Sequence, residues 1–398
     1  MESDDESGEA APYADPEPFS ISAQGLELTF YASGESRLKA LLDTIAAAQA
    51  SLKLYFYIFS ADACGKRVRD ALAEAAARGV EVVLIVDDFG SSADSLFLKS
   101  LIDAGGTVQR FGARWGGRYL IRNHQKMLIV DDKAAIIGGF NIAQAYFDPP
   151  EKDGWNDLAV RVEGAAVKQL TEYYAILARW TDGRKVRVME ARRQMANWQS
   201  GSGTVRWLVG RPGNRLSPWA QSVIGDIRRA ARLDMMVAYF SPRWGLIKLI
   251  GKVAQRGTGE GEGARLLLAA KSDNAATIGA ARTSYGKMLR KGVAIYEFEP
   301  AKLHAKLIVV DDATYIGSAN FDMRSLYINL ELMLRIEDAA LAARMRDFIA
   351  GHLPHSTAVT PELYAQRRTP LHRLQWIVSW FLVTVADYSV TRRLNAGL

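Results

Sequence analysis

Apolar residues recur along the first third of the chain in two alternating rhythms. Leu38, Leu41, Leu42 and Ile45 follow helical spacing from Ser36 onward. The aromatic run SLKLYFYIF (51–59) predicts a buried strand. A helix is expected up to Arg78, closed by Gly79 as its C-cap. EVVLIVDD (81–88) predicts a second strand. A helix near 93–104 ends at Gly105-Gly106, and VQRF (108–111) predicts a third strand. Strand and helix in alternation imply an α/β sheet.

The second half repeats this order. A helix near 217–231 precedes the predicted strand DMMVAYF (234–240). A helix through Gln255 precedes RLLLAA (265–270), and a helix ending before Gly292 precedes VAIYEF (293–298). Tyr57 and Tyr239 stand 182 residues apart, and His124 and His304 stand 180 apart. The chain therefore reads as an internal duplication with a period near 180 residues. The expected architecture is α/β, in two similar halves. The expected divisions are an acidic disordered tail (1–24), a first half (25–200), a second half (201–355) and an amphipathic C-terminal segment (356–398). The polar, basic stretch from Arg184 to Arg215 is the expected junction.

Two segments carry chemistry. NHQKMLIVDD (123–132) and LHAKLIVVDD (303–312) each hold His, Lys two residues on and Asp seven on. These are His124, Lys126 and Asp131, and His304, Lys306 and Asp311. Only five histidines are present, and two of them head this pattern at equivalent points of the repeat. His and Lys at i and i+2 of a strand project from one face, so the pair can address one phosphoryl group. Asp at i+7 has the opposite parity. Asp131 and Asp311 are thus expected to anchor the turns more than to partner the histidines directly. A different carboxylate should orient each imidazole.

The motifs resemble the signature of the phospholipase D superfamily, HxKxxxxD followed by G-[GS]-x-N. GGFN (138–141) and GSAN (317–320) supply that tail in both copies. The resemblance implies a duplicated phospholipase D fold, two α-β-α sandwich halves related by a pseudo-twofold axis with one shared active site. Within the superfamily the chain looks most like bacterial cardiolipin synthases. The segments that carry this likeness are GGFNIAQAYFD, GWNDLAVRVEG (154–164), VAYFSP (237–242) and GSANFDMRSLYINLE (317–331). The resemblance implies that His124 is the nucleophile and His304 the general acid and base. It implies that Lys126, Lys306, Asn141, Asn320 and Ser318 bind the phosphoryl oxygens. Asp157 and Glu331 match acidic positions of the family pattern and are the expected orienting carboxylates. One imidazole must start neutral and the other protonated, so their environments should split their proton affinities. No metal and no cofactor are expected. Two features depart from the pattern. The second copy has one residue fewer between Asp311 and Gly317 than the first has between Asp131 and Gly138, which puts Ser318 and Asn320 in question. Tyr55 stands where family members often carry Glu.

Charge and composition narrow the partners. At 398 residues, 49% hydrophobic and 24% charged, the chain has the balance of a globular protein of about two domains. A single cysteine, Cys64, excludes an internal disulfide or a thiolate cluster. Residues 1–36 hold nine acidic and no basic residues, so the rest carries a net +15 within a whole of +6. A basic body of that size suits an anionic partner. Trp376, Ile377, Val378, Trp380, Phe381, Leu382 and Val385 lie between arginines at 367, 368, 373, 392 and 393. Some thirteen mainly apolar residues are too few to span a bilayer but suit a helix lying in its interface. Packing on the protein core is the alternative for this segment. GARWGGRYLIRN (112–123) is similarly rich in arginine and aromatics.

The expected partners are anionic phospholipids (phosphatidylglycerol, cardiolipin) and a membrane surface, with no nucleic acid. No signal peptide is expected, and the expected location is peripheral, on the cytoplasmic face of a bacterial inner membrane. The leading expectation is a phosphatidyltransferase that makes cardiolipin through a phosphohistidine. Hydrolysis to phosphatidic acid differs only in using water as acceptor, and the partition is a property of the pocket. A nuclease-type phosphodiesterase is the further alternative.

Overall fold

The computed structural model describes residues 13–112, 122–181, 193–195, 197–198, 200–210, 215–257 and 263–386. Most of the arginine-rich stretch 112–123, much of the expected junction and Arg392 and Arg393 lie outside the described residues.

The first sheet is built from β1 (Phe19–Ala23), β2 (Leu26–Tyr31), β3 (Ser51–Phe56), β4 (Glu81–Asp87), β5 (Thr107–Phe111), β6 (Lys126–Val130) and β7 (Ala134–Gly138). After the two-residue β8 (Trp155–Asn156), β9 (Ala159–Glu163) completes it. The order across this sheet is β1-β2-β9-β7-β6-β3-β4-β5. The second half supplies β10 (Val205–Val209), β11 (Leu233–Val237), the short β12 (Phe240–Ser241), β13 (Ala264–Ala269) and β14 (Ala294–Phe298). It continues with the short β15 (Lys302–Leu303), β16 (Lys306–Val310), β17 (Ala313–Gly317), the short β18 (Phe321–Asp322), β19 (Leu332–Glu337) and β20 (Ser356–Ala358). Its order is β10-β19-β17-β16-β11-β13-β14-β20. The two orders superpose from β2 to β5 and from β10 to β14. In each half three strands run parallel, β3-β4-β5 and β11-β13-β14, with the motif strand antiparallel beside them. The duplication expected from the sequence is the duplication of the fold.

The halves differ at their edges. Phe19–Ala23 pairs with β2, so the acidic segment assigned to a disordered tail through residue 24 is in part a strand. Tyr13 is also packed, edge-on to Phe298 at 5.0 Å. Ser356–Ala358 pairs with β14, so the second sheet runs past the expected boundary at 355. The helix expected over 93–104 is reduced to Lys99–Asp103, because Asp94 takes the Phe97 N–H at 2.7 Å and holds a turn instead.

Alternation along the motif strands divides the core. Met127, Ile129, Leu307 and Val309 join a central apolar layer shared by both halves, with the helices Ala166–Thr181 and Ala339–Ala350. Leu128 and Val130 face the outer layer of the first half, and Ile308 and Val310 that of the second. A strand buried on both faces needs apolar residues at every position, and KMLIV and KLIVV supply them after the lysine.

Candidate active site

The motif histidines lie just before β6 and β16, where each chain segment crosses to the opposite half. His124 donates its backbone N–H to the Leu330 carbonyl at 2.8 Å, and His304 does the same to Asn156 at 2.7 Å. β15 and β8 pair in parallel, and Asn123 forms the matching bridge with Leu330. Asn156 and Leu330 immediately precede Asp157 and Glu331. The crossing therefore delivers each imidazole to the other half's carboxylate.

Nδ1 of His304 donates to Asp157 Oδ2 at 2.6 Å. Nδ1 of His124 lies 3.2 Å from both Glu331 Oε2 and the Ser318 carbonyl. Both neighbours of that nitrogen accept only, so neutral His124 carries its proton on Nδ1 and leaves the Nε2 lone pair free. Nδ1 of His304 also lies 2.8 Å from Lys306 Nζ. Each lysine donates to the carbonyl of its own histidine, Lys126 at 2.6 Å and Lys306 likewise.

The two imidazoles have unlike surroundings. His304 is enclosed by the rings of Tyr146 and Trp155, each 5.1 Å away edge-on, and keeps 5% of its side-chain surface. His124 keeps 14% and meets the edge of Tyr57 at 5.3 Å. Glu331 is held by the hydroxyls of Ser318 at 2.6 Å and Ser325 at 2.8 Å and by the Asn329 amide at 3.1 Å. Asp157 takes the Leu158 N–H at 2.7 Å.

Burial, then the ammonium of Lys126, lowers His124 to about 4. Burial, then Lys306, lowers His304 to about 3. Each histidine also feels the lysine of the other half, which places all four basic side chains in one cluster. Burial alone would raise the two carboxylates, but His304 and Lys306 hold Asp157 low, and His124 and Lys126 hold Glu331 low. Burial lowers Lys126 well below the usual lysine range and Lys306 to about 8. In the free site burial and the lysines push both imidazoles toward the neutral form, and the facing carboxylates pull the other way.

The other expected residues separate into groups. Asn141 and Asn320 are buried. Asn141 accepts the Ile58 N–H at 3.1 Å, while Asn320 Oδ1 has no hydrogen-bond partner among the described residues. Ser318, expected on the substrate, spends its hydroxyl on Glu331 and on the Leu332 N–H at 3.0 Å. Asp131 and Asp311 are not at the histidines. Asp131 accepts from the N–H groups of Gln49, Ala50 and Ser51, and Asp311 from Ala231 and Arg232. Both have positive φ, 51° and 46°, and tie the hairpin turn to the start of the neighbouring strand. Tyr55 donates to the Asn123 carbonyl at 3.0 Å and so braces the residue before His124. Reading the sequence missed Tyr146, Trp155, Ser325, Asn329 and Arg37. Arg37 did carry a signal: it falls in the buried stripe of the helix Gly34–Ala47 with Leu38, Leu41 and Ile45.

Comparison with known proteins agrees with this geometry. Residues 41–191 and 223–352 match the family described as cardiolipin synthase, phospholipase D-like domain. A cardiolipin synthase of Listeria monocytogenes serotype 4b is 28% identical over 358 residues, covering 87% of this chain and 73% of that protein. The major cardiolipin synthase ClsA of Bacillus subtilis is 28% identical over 345 residues, covering 84% and 70%. The crystal structure of a phosphatidylserine synthase from Haemophilus influenzae shares the fold, with a TM-score of 0.71 at 14% identity over 94% of this chain and 96% of that one. The match falls on both halves and includes both histidine strands and both orienting carboxylates, and the chain belongs to the phospholipase D-like family of cardiolipin synthases.

Proposed function

We propose that this chain is a phosphatidyltransferase that makes cardiolipin from two molecules of phosphatidylglycerol, releasing glycerol. The observation that carries the reading is the cross-half pairing of two imidazoles with two carboxylates, beside two lysines. The relatives named as cardiolipin synthases support the choice of donor and acceptor.

The free site balances two carboxylates against two ammonium groups. A bound phosphodiester adds one negative charge, offsets the lysines and draws a proton onto an imidazole. Nε2 of His124 attacks phosphorus, and the bond from phosphorus to the glycerol oxygen breaks. The leaving alkoxide takes the proton from His304. The resulting phosphohistidine is attacked by a hydroxyl of the second phosphatidylglycerol, whose proton returns to His304 as the N–P bond breaks. Lys126, Lys306, Asn141 and Asn320 offer donors to the phosphoryl oxygens. The Nδ1–H tautomer of His124 and its greater exposure support its part as nucleophile. The enclosure of His304 by Tyr146 and Trp155 supports the acid and base role, because it keeps water from the proton it holds.

The helix Pro370–Trp380, continued by Phe381–Ala386, is the membrane-facing element in this reading. One face is seated on the helix Ala275–Leu289, where Thr283 donates to the Trp376 carbonyl at 2.8 Å. The other exposes Leu371, Leu374, Ile377, Val378, Phe381 and Leu382. Arg368 and Arg373 are exposed beside it, as are Lys287 and Arg290 on the helix beneath. Core packing, one of the alternatives at the level of sequence, accounts for the Trp376 face, and the exposed face is what supports docking. Among the described residues no helix is long and apolar enough to cross a membrane.

The test is purified protein with phosphatidylglycerol vesicles, read by mass spectrometry. Cardiolipin with equimolar glycerol is expected, and His124→Ala should lower the rate by about a thousandfold or more. Phosphatidic acid as the sole product would make the chain a hydrolase instead.

A further inference from the structure

Arg37 stands outside the signature and is among the most deeply buried charges in the molecule, with 1% of its surface exposed. Its guanidinium donates to four backbone carbonyls and to no carboxylate. Nη1 reaches Ala32 and, at 2.6 Å, Asp157. Nη2 reaches Tyr146 at 2.7 Å and Trp155 at 3.0 Å. Three of these residues, Tyr146, Trp155 and Asp157, also meet His304 through their side chains. Nε has no hydrogen-bond partner among the described residues, so the two terminal nitrogens make all the contacts that offset burial of the charge, and that fixes their four acceptors in return.

The other half-site has an uncharged donor at the matching place among the described residues. Ser325 lies five residues past Asn320, as Tyr146 lies five past Asn141. The Ser325 carbonyl is held at 3.0 Å by the indole N–H of Trp219, from the helix Pro218–Arg229 that corresponds to the helix of Arg37. A neutral donor thus does for one side what a cation does for the other.

We propose that Arg37 is the positioning residue of the His304 half-site, clamping from behind the three residues that orient and enclose the imidazole, and that its charge makes the two half-sites unequal. The charged and titratable groups facing Arg37 are Asp157, Asp15 and Tyr13. Those acting on Asp157 include His304, Lys306 and Arg37, and Asp157 acts in turn on Lys126. Removing the Arg37 charge lets Asp157 take a proton at higher pH, so the acid limb of turnover moves upward. Only the activity readout rests on the phosphatidyl-transfer reading.

The test compares Arg37→Met, Arg37→Lys and Trp219→Phe in the full chain, with phosphatidylglycerol vesicles. R37M is expected to lower kcat about 100-fold, the scale of a misplaced catalytic group, with KM within about threefold. Its acid limb should rise by about one pH unit, while W219F, which removes an uncharged anchor, leaves the limb in place. R37K keeps the charge but puts its three donors on one nitrogen, which cannot span the four carbonyls, so kcat falls about tenfold with the limb unmoved. A kcat for R37M within about threefold of the parent, or an equal shift of the limb in W219F, overturns the proposal. Should R37M not fold, R37K decides, and parental turnover there overturns it equally. A readout free of catalysis is the low-field Nδ1 proton of His304, identified by its loss in His304→Gln. It should move in R37M and R37K. If it moves while the parent chain makes no product, the clamp stands and the transferase reading falls. If it stays, the clamp falls.

Discussion

At the position after the first motif glycine, the two half-sites differ by one side chain, and the difference matches the carboxylate each must hold. A Cβ on Gly139 would lie 2.6 and 2.8 Å from the Asp157 carboxylate oxygens and 3.0 Å from the His304 carbonyl. Ser318 fills the same place in the second half, and its hydroxyl supports the longer Glu331. A short carboxylate thus goes with glycine and a long one with serine. Gly139→Ser, which copies one half onto the other, should displace Asp157 and lower kcat by about 100-fold. Steady-state turnover on phosphatidylglycerol vesicles checks this, and parental kcat would show that Asp157 does not need its place. The same scale exposes what the sequence could not carry. The histidine and lysine identities imply a cationic site, yet burial pushes both imidazoles toward the neutral form. Burial belongs to the assembled fold, and no residue type states it.

Between residue and whole, the hairpins show which local readings survive. The one-residue shortening of the second copy must either change the hairpin turn or be taken up by a bulge elsewhere, and the turn takes it. Met127 pairs with Ile137 and Leu307 with Ile316, the same offset from the lysine in both halves. The missing residue comes out of the turn, which is Asp131–Lys133 in one hairpin and Asp311–Asp312 in the other. Odd parity also placed the aspartates correctly at the turn, because parity is a property of one strand. Contacts between elements were less legible. Nothing in the spacing said that the C-terminal helix would bury Trp376 and leave its neighbours bare. That helix makes its own prediction. Ile377→Asp with Phe381→Asp alters only exposed positions, so the melting temperature should hold. Cosedimentation with phosphatidylglycerol vesicles should weaken by about tenfold or more, since the apolar face that enters the interface is lost. Undiminished binding would assign the face to another partner.

For the molecule as a whole, the consequence of the duplication is that neither half owns a working site. Repeats stacked side by side would give each histidine a carboxylate from its own repeat, 33 residues on for His124 and 27 on for His304. The fold exchanges them. The segment before each histidine pairs with the strand edge before the opposite carboxylate, so two backbone bridges and two imidazole bonds cross the same junction. The orienting residues were legible in the sequence, but not which imidazole each serves, because pairing across a pseudo-twofold axis leaves no mark on spacing within a repeat. Double-mutant cycles read that pairing directly. Combining His304→Asn with Asp157→Asn should show a coupling of about 1–3 kcal/mol in urea unfolding, because the two share one buried, charge-assisted hydrogen bond. Combining His304→Asn with Glu331→Gln should be additive within about 0.5 kcal/mol. The His124 pair should mirror this, coupled to Glu331 and not to Asp157. The reverse pattern would mean that each half keeps its own carboxylate, and the exchanged site, with the mechanism built on it, would fall.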